Sequence, residues 1–304
     1  MEYFLLQVLN GIQLGLLMFL LAAGLTLVFG IMDLVNLAHG SLYMLGAYFA
    51  WTFMGWTGSF VLGALLALPA ALALGVIVEL VIARRLYARD HLDHVLATFG
   101  LILFFNELVR VLWGPAGKSI TLPPALAGTI DILPGVPYPT YRFAIIVVGA
   151  VVALFLAWLV TRTRIGMLIR AGASNRRMVA ALGVNIELLF TLVFGLGAIL
   201  AAIAGLMAAP IVSLKIGMGD DILILAFVII VIGGIGSIKG AFIAAMVVGQ
   251  VDIIGRAFLP DLLKKVMSSS AASTAAPSIS QVAVYVLMAA VLVWRPTGLF
   301  GQRQ

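Results

Sequence analysis

Long apolar stretches recur along this chain, at about 4–30, 34–54, 59–83, 95–113, 143–161, 186–210, 222–236, 240–257 and 281–295. Each approaches the ~20 residues that an α-helix needs to cross a bilayer. A single water-soluble core could not absorb so many apolar faces, and within lipid every backbone polar group has to be satisfied internally. The pattern therefore predicts an all-α fold, a polytopic transmembrane helical bundle of eight or nine spans with broken or re-entrant segments. Hydrophobic residues at 63%, charged residues at 10% and a mean hydropathy of +1.20 place the chain outside the soluble class. The first run is longer than a signal-peptide core and only Glu2 carries charge ahead of it, so it is read as a retained span. The absence of cysteine excludes disulfides and thiolate metal ligands. The net charge of +6 is what basic loops beside membrane spans produce, and it carries no nucleic-acid signal.

Two stretches break the apolar pattern. The first is DLVNLAHGS, Asp33 to Ser41, which puts an acid, an amide and an imidazole inside an otherwise hydrocarbon-compatible region. Such groups are costly at bilayer depth, and a functional site is the default reading. Asp33, Asn36, His39, Gly40, Ser41 and Tyr43 are the candidates for a translocation path, led by Asn36 and His39, with Asp33 placed nearest the membrane boundary. The competing reading is that they hydrogen-bond to neighbouring helices and fix their packing. Asp33 and His39 are also suitable residue types for the ion or proton relay of a secondary transporter or channel, the rival function. The second stretch is GGIGSIKG, Gly233 to Gly240. It fits neither the Walker nor the dinucleotide template, because Lys239 follows Ile238 and the last glycine falls one place late. Gly233, Gly234, Gly236 and Gly240 instead suit close helix packing or a sharp re-entry.

Basic residues divide unevenly between the two sets of connections. The segments around 84–94, 162–183 and 237–240 and the tail from Arg295 hold eleven, against six on the other side: Lys118, Arg142, Lys215, Arg256, Lys264 and Lys265. The richer side is expected to be cytoplasmic, together with the C-terminus. Residues 114–142, dense in Gly and Pro, are expected to form an extended or turn-rich periplasmic loop able to serve in docking. Residues 267–280, MSSSAASTAAPSIS, read as a flexible connection that need not pack. The segment 162–185 is a basic loop in which Asn175 can cap a short helix running to Leu182 and Gly183 can end it in a left-handed conformation. Alone, that loop suits contact with anionic lipid or docking on a cytoplasmic partner. The DHLDH run, Asp90 to His94, has metal-ligand residue types but no third firm ligand. Glu107 with Arg110, Asp252 with Arg256, and Glu79 ahead of Arg84 read as helical ion pairs. No catalytic constellation is evident, so an enzyme is not expected.

Five stretches in order, GLTLVFGIMDLVNLAHGSLYMLGAY, IRAGASNRRMVAALGVN, FGLGAILAAIAGLM, AFVIIVIGGIGSIKGAFIAAMVVG and VWRPTGLFG, make the chain resemble the permease subunit of branched-chain amino acid ABC transporters, the LivH type. The resemblance spans nearly the whole chain as one permease domain, residues 1–304. It implies a bacterial inner-membrane importer of branched-chain amino acids or a related small solute such as urea, an amide or a carboxylated compound. It also implies a LivM-like second permease, two cytoplasmic ABC ATPases and a periplasmic or lipid-tethered solute-binding protein. The chain itself would carry no cofactor, ATP and Mg being held by the partner ATPases. Under the resemblance Arg170, Ala171, Asn175, Arg176, Arg177, Ala181, Leu182 and Gly183 become the ATPase-coupling candidates. The chain departs from the family at Lys239, where proline is common, and at Ala244 and Ala245, where glycines are common.

Overall fold

The computed structural model describes residues 2–133 and 136–301; Arg303, one of the basic residues counted on the richer side, lies outside them, as do residues 134 and 135 of the 114–142 loop. In chain order the elements are α1 (Glu2–Met32), α2 (His39–Thr57), α3 (Phe60–Val78), a π-helical turn (Glu79–Ala83), α4 (Arg84–Leu86), α5 (His91–Trp113), β1 (Thr129–Leu133), β2 (Val136–Pro139), α6 (Thr140–Arg162), α7 (Arg164–Ala181), α8 (Ile186–Ala208), α9 (Met218–Gly233), α10 (Ile238–Leu263) and α11 (Ser269–Trp294). Among the described residues, seven helical stretches are long and apolar enough to cross a membrane: α1, α3 through α4, α5, α6, α8, α10 and α11. The two irregular stretches noted in the sequence account for α2, which begins with a polar residue, and α9, which is only 16 residues long. The result is a multi-pass helical membrane bundle.

Side-chain contacts group the helix ends into two faces. On one face, Asn10 Oδ1 accepts from Tyr138 OH at 3.2 Å and from Arg142 at 2.8 Å, Trp113 Nε1 donates to Thr52 at 2.7 Å, and Tyr141 OH donates to the Met207 carbonyl at 2.8 Å. The antiparallel β1–β2 hairpin sits on this face, and Lys118 is bridged to Leu214 by two backbone bonds of 2.9 and 2.8 Å. We call it the hairpin face. At the opposite face, Arg84 meets Thr191 and Glu187, Arg176 donates to the Met32 carbonyl at 3.5 Å, and the chain end returns to α9 through Leu299 N to Ile232 O at 2.8 Å. This is the α7 face.

The interior is built on α1 and α8. The most apolar window of α1 is 83% buried and that of α8 is 67% buried, against 17% for α11, whose exposed side chains are those a lipid would cover. Small residues allow the approach: a methyl added at Gly249 of α10 would lie 2.6 Å from the Gly11 carbonyl oxygen of α1, and one at Gly24 would lie 2.8 Å from the Gly197 carbonyl oxygen of α8. Without a hydrophobic drive between helices in lipid, such close backbone contact is the main source of packing energy.

The 267–280 expectation needs correction. The segment is not a loop: Ser268 Oγ accepts from Ala271 N at 3.4 Å and starts α11, and Ala272, Ala276 and Ser280 fall at i, i+4 and i+8 as one buried face. Ser280 Oγ donates to the Asp252 carbonyl at 2.9 Å on α10. Ala and Ser are small enough for close helix contact, and the low complexity of the string hides this period of four.

The three anticipated ion pairs form, Arg110 to Glu107 at 2.9 Å, Arg256 to Asp252 at 2.9 Å and Arg84 to Glu79 at 3.3 Å. His94 of the DHLDH run turns inward instead, with Nε2 2.8 Å from the Leu86 carbonyl oxygen.

Candidate functional site

The DLVNLAHGS stretch is where α1 stops and α2 starts. Asp33 takes φ +54°, the left-handed value that ends a helix, with its N–H bonded to the Phe29 carbonyl at 3.0 Å. Asp and Asn are the non-glycine residues that enter this region most readily. The chain then turns back without helix through residue 38, and α2 opens at His39 beside Gly24. Gly24 lies eight residues before the end of α1, ~12 Å back along its axis at 1.5 Å per residue. The segment is thus re-entrant, and its polar residues do not share one helical face. Gly40 rests directly on the Gly219 carbonyl in the first turn of α9, so α2 and α9 begin against one another inside the bundle and run to opposite faces.

The candidate residues separate into two environments. Asn36, His39 and Ser41 are buried at 1%, 0% and 1% exposure, Gly40 is buried with them, and Tyr43 lies beside Gly205 of α8. The Asn36 amide nitrogen, both His39 ring nitrogens and the Ser41 hydroxyl make no well-formed hydrogen bond. Of the six, Asp33 lines a large cavity that the other five do not reach.

That cavity, of about 1980 Å³, lies between α1, α6 and α10 and is half-open to the outside. Toward the hairpin face its wall is apolar, with Ile12, Leu16 and Phe19 from α1 and Phe242 and Met246 from α10. Toward the α7 face it becomes polar and mostly cationic, lined by Asp33, Arg170, Asn175, Arg176, Arg177 and Lys239. Lys239 stacks its ammonium 5.4 Å from the Phe300 ring centre at the same mouth. Thr26, at 1% exposure and with an unpartnered hydroxyl, stands on the cavity wall between the two zones. A lone threonine within an apolar helix carries no sequence signal, and it was not among the sequence candidates.

The α7 segment has the local structure anticipated for it. Thr163 caps it by accepting from Gly166 N at 3.0 Å. The helix breaks at Asn175, with φ −155° and ψ 90°, and restarts because Asn175 Oδ1 accepts from Met178 N at 3.0 Å. Gly183, at φ +86°, ends it, and Asn185 Oδ1 accepts from Leu188 N at 3.0 Å to begin α8. Arg170, Arg176, Arg177, Ala181 and Leu182 are exposed and Ala171 is half-buried. Met178 and Leu182, one turn apart, are 59% and 77% exposed, an apolar pair just after Arg176 and Arg177.

The glycine stretch closes α9 and opens α10. Gly234 and Gly236 have φ of +98° and +79°, and Ser237 Oγ accepts from Gly240 N at 3.0 Å as the cap of α10. Gly233 packs on Gly240, Gly236 on Gly30 at the end of α1, and Gly234 on Gly301. These glycines bring the ends of α1, α9 and α10 and the chain's tail to one point beside the cavity mouth.

Residues 7–293 match the family described as branched-chain amino acid transport system / permease component. The chain is 31% identical to the high-affinity branched-chain amino acid transport system permease protein BraD of Pseudomonas aeruginosa, over 99% of this chain and 96% of that protein. It is 29% identical to LivH of Escherichia coli, a permease protein of the same kind of system, again over 99% of this chain and 96% of the relative. The ribose import permease protein RbsC of Escherichia coli is more distant, 27% identical over 76% of this chain and 71% of its own.

Proposed function

The chain belongs to the permease-component family of branched-chain amino acid transport systems, and from that premise we propose that it is the membrane subunit of an ATP-driven importer in a bacterial inner membrane. Its cargo is a branched-chain amino acid or a related small solute. The α7 face, with the C-terminus, is cytoplasmic, as the excess of basic residues on that side favours. The observation that carries the proposal is the cavity between α1, α6 and α10, whose mouth is formed by the broken helix α7. A path wall and a docking element that share residues provide a direct mechanical link between a cytoplasmic motor and a solute route.

In this reading a LivM-like second permease covers the half-open side of the cavity. Two cytoplasmic ATPases, holding ATP and Mg, engage the permease pair, with Met178 and Leu182 seated in a groove of the ATPase and Arg176 and Arg177 at its acidic rim. A solute-binding protein delivers cargo to the hairpin face. ATP-driven closure of the ATPases pushes the restarted helix after Asn175 and rocks the permeases about the path between them. Asp33 and Thr26 stand on that path, and Asn36, His39, Gly40, Ser41 and Tyr43 form the wall behind it.

Reconstitution of the purified subunits in liposomes tests this. Leucine uptake is expected only with ATP, both permeases, the ATPases and the binding protein present; ATP-independent uptake by this chain alone overturns it. Arg170→Glu combined with Arg177→Glu is expected to lower ATPase recovery in a pull-down by about tenfold, the factor that follows from ~1.4 kcal/mol of lost contact, while membrane insertion is unchanged. Unchanged recovery argues against docking through this segment.

A further inference from the structure

Glu79 is fully buried, at 0% exposure, at the α7 end of α3, and both of its oxygens are bonded. Oε1 accepts from Tyr87 OH at 2.7 Å and from Arg84 Nε at 3.3 Å; Oε2 accepts from Thr191 Oγ1 at 2.8 Å and from Arg84 Nη2 at 3.3 Å. Arg84 continues outward to Thr191 Oγ1 at 2.9 Å and to Glu187 Oε2 at 3.3 Å. The Tyr87 ring stands edge-on to Phe190, with centres 4.9 Å apart. Burial, then the Glu79 carboxylate, pushes the Tyr87 phenol well above its ordinary range, so it stays a donor at any physiological pH.

The spacing of this cluster is informative. Residues five apart on an α-helix point ~140° away from each other, so Arg84 would miss Glu79 on a regular helix. Here Glu79–Ala83 is a π-helical turn, and the Arg84 N–H bonds to the Glu79 carbonyl five residues back. In that geometry residue i+5 stacks on residue i, and such turns recur at functional sites. The distortion of α3 is what closes the ion pair.

The position of the cluster gives it a role. Glu187 and Thr191 belong to the first two turns of α8, which begins directly after the restarted segment of α7, Gly183 and the Asn185 cap. One to two turns further into the bundle, Gly75 of α3 packs on Ala198 of α8 and Gly195 of α8 packs on Leu72 of α3. The two helices are thus fastened twice, by close packing in the interior and, next to α7, by three bonds that reach Thr191 and Glu187 of α8 from Glu79 and Arg84.

We propose that Glu79, Arg84 and Thr191 form a coupling latch that locks the end of α3 to the first turns of α8, so that displacement of the α7 segment moves both helices as one body. The latch rests on the transporter reading above. With it open, α8 moves without α3, and ATP hydrolysis continues without proportionate opening of the path. These are positioning residues: none of them touches the cavity.

The test uses the assembled transporter in liposomes, with radiolabelled leucine uptake and ATP hydrolysis measured in the same vesicles. Glu79→Gln and Thr191→Val are expected to lower leucine moved per ATP by about tenfold, within the range of free energies that couple distant sites, with hydrolysis held within about twofold. Thr191→Ser, which keeps the hydroxyl, is expected to retain the wild-type ratio. A ratio unchanged in Glu79→Gln, or uptake and hydrolysis falling in proportion with the yield of assembled complex, overturns the latch. Failure of the transporter reading would be seen separately, as a wild-type complex without ATP-dependent uptake.

Discussion

Two buried polar clusters in this chain are built on opposite rules. Around Glu79 both carboxylate oxygens are bonded, and Thr191 and Glu187, about a hundred residues further on in α8, are tied into the same cluster. Around His39 the neighbouring helices are drawn together by glycines, and the Asn36 amide nitrogen, the His39 ring nitrogens and the Ser41 hydroxyl lack well-formed hydrogen bonds. A satisfied network in a low-dielectric interior fixes one arrangement of the helices that carry it. An unsatisfied one is costly and holds no particular partner, which suits a region where helices must shift past one another or where solute and water pass. The difference divides the molecule into an α3–α8 arm beside α7 held by polar bonds and a seam at α2 and α9 held by glycine contact.

The seam should be the more sensitive of the two to added bulk. A methyl at Gly40 would run into the Gly219 carbonyl, a backbone obstacle that no rotamer change removes. Gly40→Ala is expected to destabilise the chain by ~3 kcal/mol, the upper end of overpacking costs. A detergent thermal-shift assay on the purified chain would read this as a large fall in melting temperature. A melting temperature near wild type would show that α2 and α9 are not in firm contact and would dissolve the contrast.

The arm should respond to lost charge. Glu79→Ala leaves Arg84 and the Tyr87 phenol without their shared acceptor; because Arg84 is about one-third exposed, the cost falls below that of a fully buried pair, at about 2 kcal/mol. The same assay measures it. A change under about 0.5 kcal/mol would place the pair with ordinary surface ion pairs and remove the physical basis of the arm.

These two regions were unequally legible in the sequence. DLVNLAHGS and GGIGSIKG stood out because polar and glycine residues interrupt apolar runs, and the structure makes both of them helix boundaries. The cap at Asn175 and the stop at Gly183 were readable because capping depends on residues two or three apart. Glu79 and Arg84 could be paired by proximity in sequence, but Tyr87 and Thr191 could not, since the π-helical turn and the fold of α8 bring them in. The cavity left no trace either. Ile12, Leu16 and Phe19 face it from α1, yet in sequence they are the same as side chains that face lipid. The 267–280 string shows the opposite failure, in which low complexity concealed a packed helix face.

The smallest expected effect on stability is the most informative about function. His39 is fully enclosed and neither ring nitrogen makes a well-formed hydrogen bond, although the Leu21 backbone lies close, so replacing it with leucine removes two poorly partnered polar atoms and keeps most of the volume. When no hydrogen bond is lost, such a swap is nearly neutral or stabilising. His39→Leu is therefore expected to melt within about 1 kcal/mol of wild type, while leucine uptake by the assembled transporter falls by more than the yield of complex. The two readings answer different questions. A strongly lowered melting temperature would mean that His39 is bonded after all and that the seam is built like the arm. Unchanged stability with unchanged uptake per complex would mean that the imidazole only fills space beside Gly24, leaving Asp33 and Thr26 as the polar groups of the path.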